Sequence, residues 1–250
     1  MSAPCKVRAD FHLHSCLSAC ASLDLSPTAL VRCALAAGLD AVALTDHNCA
    51  LHTPLFLRLC RQAGLHALAG IEVTCAEELH VLCLFDTPEP ALELGARVVE
   101  TIPRIPCRPH RFGDQVLVNE QEEIEAFLPW YLGNPTALTL TEVAGWTHRR
   151  GGLVIPSHID RPAHSLGSQL GRIPEYPFNA LEIWNPKAPC LPGMETYPLV
   201  CFSDTHRSEN PGSRWTLLKL EEFSTAAIAA ALRTGTFRTH PPLPLRHPPS

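Results

Sequence analysis

The sequence predicts a single α/β barrel with its working face at the ends of the strands. Three observations carry this: the chain length, an alternation of short apolar runs with helical ones, and histidines and carboxylates gathered at the ends of the apolar runs. With 250 residues, 46% of them hydrophobic, the chain is about as long as an α/β barrel that folds as one domain. Alternating strand and helix patterns argue for parallel strands with helices outside. Such a barrel brings the C-terminal strand ends to one face, where active sites are built.

Residues 6–11 form the first expected strand. Ser26 and Pro27 open a helix running to residue 37, with Ser26 as N-cap, Pro27 in the first turn and Gly38 as the stop. Residues 41–44 are a second strand, 55–63 a helix ended by Gly64, 65–71 a third strand and 79–85 a fourth. Residues 140–150 form a helix closed by Gly151 and Gly152. Strands are expected at 153–155, 181–184 and 199–202, and a last helix at 225–233. Residues 87–135 are less regular and rich in proline, with a helix expected near 121–128. This stretch is expected to be an insertion over one end of a single domain spanning 5–238, followed by a proline-rich tail at 239–250. The sequence shows no repeat at a fixed period.

Composition narrows the function. Net charge is −5 and charged residues make up 18%, so no basic surface for stable duplex nucleic-acid binding is expected. No apolar run reaches the roughly 18 residues of a membrane span, and residues 1–10 carry no apolar signal core. A cytoplasmic protein follows as the expectation. The eleven cysteines then predict reduced thiols, most of them small apolar filler.

The chemistry-bearing residues fall at strand ends. Asp10-Phe11-His12-Leu13-His14 closes the first strand, and residues i and i+2 of a strand share a face, so His12 and His14 can grip one metal. Thr45-Asp46-His47 follows the second strand, Gly70-Ile71-Glu72 the third, and His80 begins the fourth. Ser157-His158 and Ser203-Asp204-Thr205-His206 follow later strands. Imidazole and carboxylate donors suit zinc, manganese or iron. They outnumber what one ion needs, which implies two or three ions; paired ions about 3.5–4 Å apart clamp a phosphoryl group and activate water. Asp46 is expected to support His47 by hydrogen bonding. His52, His66, His110, His148, His164, His240 and His247 are expected on the surface or in loops.

Taken in order, H-x-H, T-D-H, G-I-E, a later S-H and S-D-x-H resemble the PHP (polymerase and histidinol phosphatase) family, over residues 10–206 and weakly to 238. The likeness is greatest to its small stand-alone phosphoesterases. The resemblance implies a distorted seven-stranded TIM-like barrel, a trinuclear site and phosphoester hydrolysis by metal-activated water. It implies the ligands His12, His14, His47, Glu72, His80, His158, Asp204 and His206. A ninth, aspartate ligand falls on Asp24, although relatives place it slightly earlier, where Ser22 stands. Arg161, three residues after His158, matches an arginine of some relatives. A guanidinium there can pair two phosphate oxygens, and an ion pair with Asp160 or another carboxylate is the competing role. The expected partner is a small phosphorylated substrate or a short nucleic-acid end.

Two alternatives were weighed against these residues. Amidohydrolase barrels also open with H-x-H but use a carboxylated lysine, and Lys6, Lys187 and Lys219, the only lysines, do not end an early central strand. A non-catalytic metal-binding module would be signalled by lost ligands, whereas eight are present.

Overall fold

The structure, a computed structural model, describes residues 5–243. The chain runs through β1 (Cys5–Leu13), α1 (Pro27–Ala36), β2 (Ala41–Leu44), α2 (Thr53–Gln62), β3 (His66–Thr74) and β4 (His80–Phe85). There follow α3 (Pro88–Thr101), α4 (Pro109–Phe112), β5 (Val116–Val118), β6 (Ile124–Phe127), α5 (Leu140–His148) and β7 (Leu153–Pro156). The last part holds α6 (Leu166–Leu170), β8 (Leu181–Glu182), a 3-10 turn (Met194–Thr196), β9 (Leu199–Val200), β10 (Trp215–Leu220), α7 (Thr225–Arg233) and β11 (Phe237–His240).

The main sheet has seven strands in the order β11-β10-β1-β2-β3-β4-β7 and is mixed, not wholly parallel. β1, β2 and β3 are parallel; β4 runs antiparallel to both β3 and β7. β8 and β9 form a separate parallel pair. Single hydrogen bonds continue the curve from β7 to this pair, Asn179 N–H to Val154 O and Ile159 N–H to Glu182 O, both 2.9 Å. The chain beyond β9 then reaches β1 through His14 N–H to Thr205 O at 3.1 Å and Thr205 N–H to His12 O at 3.2 Å. The result is a distorted, incompletely hydrogen-bonded α/β barrel, with β10 laid antiparallel along the first half of β1 and β11 antiparallel beside β10 at the sheet edge.

Alternation of side chains builds two layers. Ala41 and Ala43 of β2 join Phe11, Leu68, Leu82, Ile155 and Phe202 in one buried cluster. Val42 and Leu44 face the other way, against Leu30 and Ala34 of α1 and Phe56 and Cys60 of α2. Each such fully buried large side chain contributes about 1.5–3 kcal/mol. α1 begins as its residues dictate: Ser26 Oγ accepts from Ala29 N–H at 3.0 Å, and Gly38, at φ +67°, turns the chain out of the helix.

Two expectations are corrected in the segment read as an irregular insertion. It opens with α3, a 14-residue helix that packs Ala91, Leu94 and Val98 into the core. Pro88 sits in the first turn, where proline is tolerated because its missing N–H has no helical partner. The helix expected near 121–128 is instead β6, paired antiparallel with β5. β10 and β11 were not anticipated. Of the expected proline-rich tail, residues 244–250 lie outside the described residues. Among the described residues no helix is long and apolar enough to cross a membrane.

Candidate metal centre

The strand ends deliver eight of the ten proposed site residues to one buried cluster. His12 and His14 leave β1 where its pairing with β2 shifts register between Asp10 and Leu13. His47 follows β2 and bridges Glu72 at the end of β3. Gly70 makes that approach possible, since a Cβ there would lie 2.6 Å from Leu44 O and Thr45 Cγ2. β4 runs backwards, so its first residue, His80, pairs with Thr74 and lands at the same end as the others. His158 follows β7, and Asp204 and His206 follow β9. His158 and Asp204 have φ of +28° and +49°, a region costly for residues with a side chain and often found at functional sites.

Glu72 is the hub. Its Oε1 lies 3.2 Å from His12 Nε2, 3.3 Å from His80 Nδ1 and 3.4 Å from His158 Nε2. Its Oε2 lies 3.3 Å from His14 Nε2 and 3.0 Å from His47 Nδ1. Asp204 Oδ1 is 3.3 Å from His12 Nε2 and 3.2 Å from His14 Nε2. Three groups have donor atoms all within 4.8 Å of one another: His12, His14 and Asp204; His14, His47 and His206; His47, Glu72 and His80.

Surrounding groups fix the imidazoles. His12 Nδ1 faces the Glu182 carboxylate at 2.9 Å and donates to it. Ser18 Oγ spends its one proton on Asp46 Oδ1 at 2.7 Å, so it accepts from His14 Nδ1 at 3.2 Å. His206 Nδ1 donates to the Asp204 carbonyl at 2.8 Å. When neutral, these three histidines keep the proton on Nδ1 and leave Nε2 as a lone pair. Buried His12 Nε2, His14 Nε2, His47 Nδ1, His80 Nδ1 and both Glu72 oxygens have no hydrogen-bond partner. Lone pairs facing carboxylate oxygens away from water are unfavourable unless a proton or cation lies between them. The orphaned atoms and their chemistry therefore fit divalent ions.

Protonation follows the same logic. Burial opposes charge on His12, but Glu182, Glu72 and Asp204 outweigh it and hold its pKa well above the ordinary range. Burial would raise Glu72, yet His12, His80 and His47 bring it well below. Burial dominates at His80 and pushes it down to about 3.

Asp24 and Arg161 stand apart from the cluster. The Asp24 carboxylate is exposed, in the turn before α1, hydrogen-bonded by Ser22 and Ser208; the structure does not bring it to the other expected ligands. Arg161 lies on the rim, with Nη1 2.6 Å from Asp204 Oδ2, while Asp160 accepts from the backbone N–H groups of Trp184 and Asn185. Sequence reasoning missed Glu182, a buried carboxylate within an apolar run. It also missed Cys20, at the surface with its thiol turned toward His47 and His206. Burial would raise that thiol, but the His47 charge and hydrogen bonds from His206 and His47 bring it down to about 5. Asp46 accepts from Ser15 N–H, Ser15 Oγ and Ser18 Oγ. His52, expected on the surface or in a loop, lies in the turn before α2 but is buried: its Nε2 accepts from Val118 N–H, so Nδ1 donates to Ser15 Oγ at 2.8 Å.

Comparison with known proteins agrees with this architecture. Endonuclease Q of Pyrococcus furiosus, a lesion-specific endonuclease, superposes with a TM-score of 0.69 at 17% identity over 94% of this chain. The same enzyme type in complex with a 27-mer duplex carrying an abasic lesion gives 0.67 at 16% identity over 92%, and 57% of that chain is covered. A protein from Bifidobacterium adolescentis described as a metal-dependent phosphoesterase gives 0.58 at 16% identity, covering 90% of this chain and 95% of that one. The chain spans 58% of the Pyrococcus endonuclease. No curated protein matches it in sequence. The PHP domain family matches residues 10–133, which hold His12, His14, His47, Glu72 and His80 in order. Residues 10–133 of the chain thus form a segment of the PHP domain family.

Proposed function

We propose that this protein is a metal-dependent phosphoesterase whose ions are held by His12, His14, His47, Glu72, His80, His158, Asp204 and His206. The observation that carries the reading is the set of buried, unpartnered nitrogen and carboxylate atoms converging on Glu72. Three overlapping donor groups favour three ions over one, and the imidazole–carboxylate mixture suits manganese, zinc or iron. Bound ions would supply Lewis acidity toward a phosphoryl oxygen and activate water. The chain's own residues orient and hold protons: Glu182 keeps the proton on His12 Nδ1, and Ser18, itself held by Asp46, does the same for His14. Arg161 on the rim would pair with phosphate oxygens as a planar cation. A small phosphorylated compound or a nucleic-acid end suits a rim of this kind, and a 27-mer duplex with an abasic lesion is the substrate of the endonuclease it resembles.

The test is a panel of phosphate esters assayed after chelation and after adding back Mn²⁺, Zn²⁺ or Fe²⁺. Activity should vanish with the metal and return with it, and His12→Ala should lose both metal and turnover while His148→Ala keeps both. Full activity in protein shown metal-free by elemental analysis would overturn the reading.

A further inference from the structure

Trp184 stands two residues after Glu182, on the rim of the cluster, and is 43% exposed. Its backbone is pinned on both sides. Its N–H and that of Asn185 donate to Asp160 Oδ1 and Oδ2 at 2.7 and 2.6 Å, and the Arg214 guanidinium donates to its carbonyl. The indole is thus carried, partly exposed, on a backbone segment fixed by polar groups.

Two cations flank the ring. The guanidinium carbon of Arg161 lies 5.3 Å from its centroid and that of Arg214 5.9 Å. A packing pair looks different in this molecule: Arg150 sits 3.7 Å over Trp146, which is 3% exposed. The arginines at Trp184 stand farther from the ring, and the residue keeps 43% of its surface exposed. Arg161 also joins the ring to the cluster, because its Nη1 lies 2.6 Å from Asp204 Oδ2, a close pair not aligned as a hydrogen bond. One guanidinium therefore separates an exposed indole from a carboxylate of the candidate metal centre.

This arrangement selects for shape as well as charge. An open indole face between cations favours a flat π-system, and stacking on it tolerates any base. The adjacent guanidinium groups favour an anion next to that ring. A phosphorylated nucleoside has both parts, one sugar apart; a plain sugar phosphate lacks the ring.

We propose that Trp184, flanked by Arg161 and Arg214, is a specificity platform on which the base of a phosphorylated nucleoside stacks while its phosphate lies at the histidine–carboxylate cluster. The proposal rests on the phosphoester reading above and names its substrate class. Asp160 is then a positioning residue, holding the 184–185 backbone while its neighbours His158 and Arg161 face the cluster.

The test uses the full chain with metal restored and compares adenosine 5′-monophosphate, ribose 5-phosphate and a short 5′-phosphorylated single strand. In wild type, kcat/KM should favour the nucleotide over the sugar phosphate. Trp184→Ala should cut that preference roughly tenfold or more, mainly through KM, with metal content unchanged. Trp184→Phe, which keeps a ring, should retain most of it and guards against misfolding of the alanine variant. Dependence on Trp184 for the strand alone would identify the occupant as a nucleic-acid end; dependence for the mononucleotide as well would identify a free nucleotide. A preference unchanged in Trp184→Ala would overturn the platform. If none of the three esters is hydrolysed, the phosphoester reading fails, and calorimetric binding of adenosine 5′-monophosphate decides the platform: weaker binding to Trp184→Ala upholds it, equal binding overturns it.

Discussion

Glu182 offers a test of whether the surroundings of the cluster govern metal binding. It is buried, and its carboxylate accepts from His12 Nδ1 at 2.9 Å and from His158 N–H at 2.9 Å. Glu182→Gln preserves shape but replaces one acceptor oxygen with an NH₂ group. His12 and His158 meet the same oxygen, Oε2, and only His12 also reaches Oε1, at 3.1 Å. An NH₂ group in the Oε1 place faces His12 Nδ1–H, and a neutral amide holds the proton on Nδ1 more weakly than the carboxylate does. A hydrogen bond to a charged group contributes about 1.5–3 kcal/mol, and each 1.4 kcal/mol is about a factor of ten. Metal affinity should therefore fall roughly ten- to a hundredfold, the range seen when partners of metal-bound histidines are changed. Competition with a chelator of known affinity measures this directly, and circular dichroism checks that the variant is folded. Unchanged metal affinity in a folded Glu182→Gln protein would refute the reasoning.

Two further outcomes follow from the same geometry. Asp24→Asn should leave metal content and turnover near wild type and cost at most about 1 kcal/mol of stability, as expected for an exposed carboxylate beside a helix start; loss of a metal ion, read by elemental analysis, would return Asp24 to the ligand set. In metal-free protein, His12 and His47 are raised above their ordinary 6.5, so their stabilisation is complete below 6.5 and lost as pH climbs through the raised values. Glu72 is depressed below 4.5, so its contribution is complete above 4.5 and lost as pH falls through the depressed value. The depressed Cys20 thiol acts the other way, adding stability as pH rises toward 9. The Tm of metal-free Cys20→Ala protein should therefore fall as pH climbs above 6.5, and divalent metal should reverse the fall because binding displaces those protons; a Tm that climbs there in that variant without metal would contradict the protonation pattern.

Much of the scaffold was legible because its signals are local. Ser26, Pro27 and Gly38 mark α1 within twelve residues, and β2 was found at its observed limits. The clustering of eight expected residues was legible because strand ends converge whatever the loops do. What failed depended on tertiary context. Pro88, Pro90 and Gly95 disguised α3, although prolines in a first turn do not break a helix. The acidic run before Phe127 suits a helix until β5 offers pairing. Reverse running of β4 was invisible in the sequence, and so was the reason His80 belongs at the start of its strand. Glu182 and Cys20 are defined only by what they touch, across 170 residues for the contact of Glu182 with His12. Asp24 was placed by likeness alone; its turn keeps the carboxylate outside.

The way β1 is paired has a consequence for how the molecule assembles. Its first half is hydrogen-bonded to β10, and its second half, carrying His12 and His14, to residue 205. Asp10 adds bonds from Ser203 N–H at 3.0 Å and Gly212 N–H at 2.9 Å, across 193 and 202 residues. That edge of β1 is therefore completed only when residues lying 193 and 202 positions later are in place, since closing loops of this length precedes any gain from the contacts. Until then the H-x-H segment keeps open backbone groups on that side, and the amide protons of His14 and Thr205 report the arrival of the later segment.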